Sequence, residues 1–266
     1  MLLRNVFTKT LRDLRWPTFW VAVGCGAMTG YFALLFPTYS KIIDMNSLLA
    51  KMGPMAKLLG SQVGDASTLI GFLHLELFSM MLPAAMIAFA AGTASGFTAA
   101  EESRGTIDVL LSYPVSRSRL VLDKVLALVI ACVVTAVTTG VFALVGAALS
   151  ASDLPVASLS AALALVVLLG LAFGAIALAI SAATGNRAAS IGITVALMIA
   201  MYLVDALSNI VDGLNAIRPL SLFKYYAAHD PLRNGLDIGD CAVLAGVAAL
   251  FLIVSLVAFD RRDLAA

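Results

Sequence analysis

The residues of this sequence that could do chemistry are few, and most of them fall in one short run. Glu101-Glu102-Ser103-Arg104-Gly105-Thr106 leads through Asp108 to Leu110-Leu111-Ser112-Tyr113-Pro114-Val115-Ser116-Arg117 and on to Lys124. Read as a helix, 101–111 sets Glu101, Arg104 and Asp108 on one face, spaced i,i+3 and i,i+4, and Ile107, Leu110 and Leu111 on another. Tyr113-Pro114 ends that helix, because a proline pushes the residue before it out of the α region and its ring opposes continuation. Ser116 can then cap the next one. What such an element offers is ion pairing across a surface. That is the chemistry of docking, not of catalysis.

Elsewhere the catalytic vocabulary is thin. The sequence has no GxxxxGK[ST], and no Gly-Lys dipeptide at all, so it carries no P-loop. It has no HExxH, and Gly92-Thr93-Ala94-Ser95-Gly96 is not the GxSxG of a nucleophile elbow. His74 and His229 are its two histidines. His74 and Glu76, two apart, point about 200° away from each other on a helix and cannot chelate one metal. Cys25, Cys132 and Cys241 are widely spaced and read as small packing residues. The reading is a protein that is not an enzyme and holds no metal or cofactor of its own. Glu76, Tyr31, Tyr202 and Asp205 remain as polar groups able to line a pathway, Glu76 because an ionisable group at membrane depth faces protein or water.

The elements that position these residues follow from charge. The 266 residues are 61% hydrophobic and 12% charged, against about 25% charged in a soluble domain. Charge-free windows cover 16–40, 77–100, 125–152, 154–186, 188–204 and 241–259. A membrane-spanning helix needs about 20 apolar residues, so each window holds one. The spans are set at 17–36, 70–97, 121–149, 158–183, 188–206 and 241–259. Continuous apolar runs, not alternation over about ten residues, exclude a β-barrel. The class is an all-α polytopic membrane protein, one domain over 1–266.

Lys and Arg near the helix ends set the orientation. The side holding both termini carries Arg4, Lys9, Arg12, Arg15, Arg104, Arg117, Arg119, Lys124, Arg187, Arg261 and Arg262. The other side carries Lys41, Lys51, Lys57, Arg218, Lys224 and Arg233 in longer loops. The termini are therefore expected in the cytoplasm. Residues 2–15 read as an amphipathic interfacial helix, with Leu3, Phe7, Leu11 and Leu14 on one stripe and Trp16-Pro17 turning the chain inward. Segment 208–240 mixes apolar residues with Arg218-Pro219, Asp230-Pro231 and Asn234-Gly235, and predicts short, re-entrant-like external helices. The net charge of +1 says nothing about nucleic acid and no Lys/Arg-rich run points to it, so no nucleic-acid partner is expected. Gly26–Gly30, Gly92–Gly96 and Gly170–Gly174 are GxxxG pairs that permit close helix approach.

On the 101–117 insert with Lys124, on Pro219-Leu220-Ser221 before Tyr225-Tyr226, and on the terminal Arg261-Arg262-Asp263-Leu264, the sequence resembles the ABC-2 family of ABC-transporter permeases. The resemblance covers essentially the whole chain. It is strongest to small permeases encoded apart from their ATPase, including those similar to the membrane subunit used in maturation of multicopper enzymes. It implies that 101–112 is a coupling helix docking on a separate ATPase subunit, which alone binds ATP and Mg. Glu101, Glu102, Arg104, Gly105, Thr106, Asp108 and Leu111 would make that contact. It implies further a second permease copy or paralogue, a prokaryotic inner membrane, and export of a hydrophobic or amphipathic substrate. Two rival classes are a non-translocating mechanotransmitter acting on an extracytoplasmic partner, and an ion-coupled secondary transporter.

Overall fold

A chain in lipid must satisfy its own backbone hydrogen bonds, and a helix does so within one segment. The protein is described here by a computed structural model that covers residues 6–42, 51, 67–97, 117–208, 211–227 and 229–261, and it has no strand among them. Its main elements are α1 (Val6–Ile42), α2 (Leu69–Leu73), α3 (Met81–Ala94), α4 (Arg117–Leu149), α5 (Val156–Thr184), α6 (Arg187–Ser208), α7 (Leu222–Ala227), α8 (Pro231–Asn234) and α9 (Ile238–Arg261). Five helices are long and apolar enough to cross a membrane unbroken, and α2 with α3 makes a bent sixth. The chain is a membrane protein of the all-helical class. Spans three to six fall within a few residues of the limits read from charge.

Two elements differ from the reading. The break at Trp16-Pro17 is absent: α1 is a single helix through Pro17. Its buried stripe, Thr10, Leu14, Thr18, Ala22, Gly26, Thr29 and Ala33, steps by three or four without interruption. Phe7 and Leu11, expected on a membrane surface, pack partly buried against the core. Burial of one continuous stripe outweighs the single backbone bond the proline removes.

The second span is not one rod. Leu69–Phe78 and Met81–Ala94 meet at 41°. The first piece ends in a π-helical turn, His74–Phe78, and Met80 leaves helical geometry at φ −146°. Pro83 is the cause: it has no N–H, and its ring opposes the carbonyl four residues back, that of Ser79. Ser79 instead donates its N–H to His74 and its hydroxyl to Leu75.

α5 is the hub. Seventy-two per cent of its most apolar window is buried, against 17% for α9, so α5 is packed on all sides and α9 on one. Glycines let its neighbours close in: a Cβ at Gly174 would lie 3.2 Å from that of Ala90 on α3, and one at Gly170 would strike Met86. α1 and α4 run parallel, Gly26 beside Phe142 and Gly30 beside Gly146. Two of the three GxxxG pairs therefore mark helix contacts; Gly92 of the third has nothing near its missing side chain.

Candidate functional site

The charged insert, 101–117, follows the last described residue after α3, Phe97, and all of it before Arg117 lies outside the described residues. Glu101, Glu102, Arg104, Gly105, Thr106, Asp108 and Leu111 all lie outside the described residues. What the structure shows is how the chain enters the insert. A helix end leaves its last carbonyls without partners inside the helix. Here three other helices supply donors. Lys124 of α4 donates from Nζ to the Phe97 carbonyl at 2.7 Å, Ser181 of α5 from Oγ to Ser95 at 2.8 Å, and Arg187 of α6 from Nη2 to Gly92 at 3.1 Å. Lys124 is almost fully buried, with its ammonium 5.9 Å from the Phe97 ring centroid. A buried ammonium is tolerated only with hydrogen-bond partners, so its position is fixed by that carbonyl. Between Ser181 and Arg187 the chain reverses at Gly185, φ 64°, where a left-handed C-cap favours glycine. Asn186 then accepts from the Ala189 N–H to start α6.

At the opposite end residues 211–227 and 229–237 form a cap of two 3₁₀ turns, Asp212–Leu214 and Arg218–Leu220, followed by α7 and α8. The cap is tied to the bundle by named polar contacts. Tyr226 donates to the Phe78 carbonyl at 2.6 Å, just before the break in the second span, and Ser221 donates to Met201 at 2.7 Å. Burial and the nearby Asp230 carboxylate push the Tyr226 phenol well up, so it stays a neutral donor. Arg218 meets Asp205 at 2.9 Å. Asp230, at φ 44°, faces His74 at 3.5 Å and Arg233 at 3.3 Å.

The four pathway candidates sit on three elements: Tyr31 on α1, Glu76 in the π turn, and Tyr202 and Asp205 on α6. Asp205 is buried and held by Arg218. Tyr202, one turn earlier on α6, packs edge-on against Phe223 of the cap at 5.4 Å. Glu76 is half-buried within the π turn, and Tyr31 stands 57% exposed on α1 beside Phe32. Sequence reading passed over Lys124, Ser95, Ser181 and Arg187 as a set, because nothing in their spacing shows that they meet. It also passed over His74 with Asp230, which lie far apart in the chain.

His229, Asp237 and Asp240 each bring one potential metal-ligand atom within 4.8 Å of the others. Local bonding accounts for all three: Asp237 accepts the Asp240 N–H as an N-cap of α9, and Asp240 meets His229 Nδ1 at 2.6 Å. The hydrogen bond from His229 to Asp240, then the Asp240 charge and that of Asp237, raise the imidazole above its ordinary value. The sign follows: the protonated imidazole holds the cap to α9 below about pH 6.5, and the hold is lost as pH rises through the raised value. An NMR titration of His229 is expected to show a midpoint above about 6.5 that falls back toward it in Asp240→Asn. An unchanged midpoint in that variant would refute the link.

A family model described as ABC-2 family transporter protein matches residues 7–264. No curated protein matches the sequence.

Proposed function

The chain belongs to the ABC-2 family of transporter proteins, whose members are transport components of the membrane, and from that premise we propose that it is the permease subunit of an ABC transporter. A separate subunit binds and hydrolyses ATP with Mg, and it docks on residues 101–112. Two permeases, identical or paralogous, pair in a prokaryotic inner membrane with their termini in the cytoplasm. ATP closes the nucleotide-binding pair, the docked helices move with it, and the paired bundles exchange inward- and outward-facing forms. For this to move cargo, substrate affinity must differ between the two forms. An apolar bundle suits a hydrophobic or amphipathic substrate, carried outward.

The observation that carries this reading is the pairing of a family match over nearly the whole chain with a charged insert whose entry point is gripped by three helices. A span end held this firmly suits the transmission of a displacement from the 101–117 insert into the bundle. The test is purification from its own host with a tag on the C-terminus. An ATP-binding subunit should copurify, and vesicles containing both should show ATP hydrolysis that responds to substrate. Transport by the chain alone under a proton or sodium gradient would overturn the reading.

A further inference from the structure

α1 and α4 touch backbone to backbone at Gly30 and Gly146, and they part toward the insert end. The parting leaves a groove of about 450 Å³. Leu14, Thr18 and Ala131 line it from buried positions, and Phe19 and Val134 from exposed ones. It runs from Leu11 to Val23 on α1, which at 1.5 Å per residue is roughly 18 Å. The hydrocarbon of one leaflet is about half of 30 Å. From Arg15 inward to Val23 the groove is roughly 12 Å long, most of the depth of one leaflet, and nearly all of its lining is apolar.

Its one charged lining residue is Arg15, close to the insert end of α1. Arg12 lies one turn before and Lys9 one turn before that, all exposed, with Asp13 the acidic side chain among them. Arg15 rests 5.7 Å from the Trp16 ring centroid, and Trp16 and Trp20 are 58% and 66% exposed. Exposed tryptophans mark the headgroup level. Basic residues there, above an apolar slot, complement a lipid with a negative headgroup.

We propose that this groove is a binding site for one acyl chain of an anionic phospholipid, with its phosphate held by Arg15 and Arg12. The proposal rests on the chain being a membrane protein and is independent of the transport reading. Each arginine contributes roughly fivefold to the preference for negative headgroups, so the pair should favour phosphatidylglycerol over phosphatidylcholine by more than tenfold.

The test uses the full chain, delipidated and returned to mixed micelles of the two lipids with identical tails at equal amounts. Native mass spectrometry then counts the lipids that remain bound. One phosphatidylglycerol should be retained in clear excess. R12Q/R15Q should bring the two lipids to parity, and Val134→Trp, which fills the groove and keeps the charges, should remove the retained lipid. Equal retention by the unaltered protein would overturn the proposal, as would a preference that survives either change.

Discussion

Reversing Glu101 and Glu102 together to lysine is expected to strip the ATP-binding subunit from the purified complex. If these carboxylates face basic or hydrogen-bonding groups on that subunit, the change removes attraction and adds repulsion. Truncating one partner of a desolvated charge pair at an interface costs about 2–5 kcal/mol. Each 1.4 kcal/mol is about a factor of ten in affinity, so recovery of the subunit should fall by roughly thirtyfold or more. Asp153→Lys supplies the control: it lies exposed in the turn between α4 and α5, at the other end of the bundle. That variant should retain the subunit in full. Equal copurification of all three proteins would place the docking contact somewhere other than 101–112.

Gly146→Ala is expected to destabilise the protein, although alanine is the better helix former by about 1 kcal/mol. A Cβ at Gly146 would meet the carbonyl of Gly30 and lie 3.0 Å from the Cβ of Ala33. Neither neighbour is the far end of a flexible side chain, so α1 and α4 must separate. Overpacking of this kind costs about 1–3 kcal/mol, enough to reverse the sign set by propensity. Gly24→Ala, with nothing within 4 Å of the added atom, should be neutral or slightly stabilising. Thermal unfolding in detergent reads the contrast, with Gly146→Ala lower by several degrees. Equal melting of the two variants would mean that the close approach at Gly30 contributes little.

The crossings were legible because lipid excludes charge: for α5, α6 and α9 the charge-free windows end within a few residues of the helix ends, whereas α1 runs ten residues further toward its N-terminus than its window. The cap was legible for a similar reason: Arg218-Pro219, Asp230-Pro231 and Asn234-Gly235 punctuate apolar residues too closely for a span. Proline effects were harder. Pro17 reads as a break and is none, because the buried stripe from Thr10 to Ala33 holds the helix together on both sides of it. Pro83 sits inside a charge-free window and does break its helix, because the backbone can leave helical geometry at Met80 while Tyr226 secures the Phe78 carbonyl. A proline's consequence is decided by its neighbours in space, which spacing along the chain does not reveal. The grip on the end of α3 was invisible for the same reason, since its donors come from Lys124, Ser181 and Arg187 on three helices. The insert itself was recognisable by composition alone.

The two ends of the second span are built for opposite mechanical duties. Its piece next to the insert is riveted at Gly92, Ser95 and Phe97 to three separate struts, so a load applied beyond Phe97 is shared among α3, α4, α5 and α6 as one stiff block. Its other piece is fastened to the cap through Tyr226 and sits across the joint at Ser79–Met80. Stiffness on one side and a joint on the other make a crank. Within this span, any stroke that the block does not carry as a whole is taken up at that joint, next to the cap.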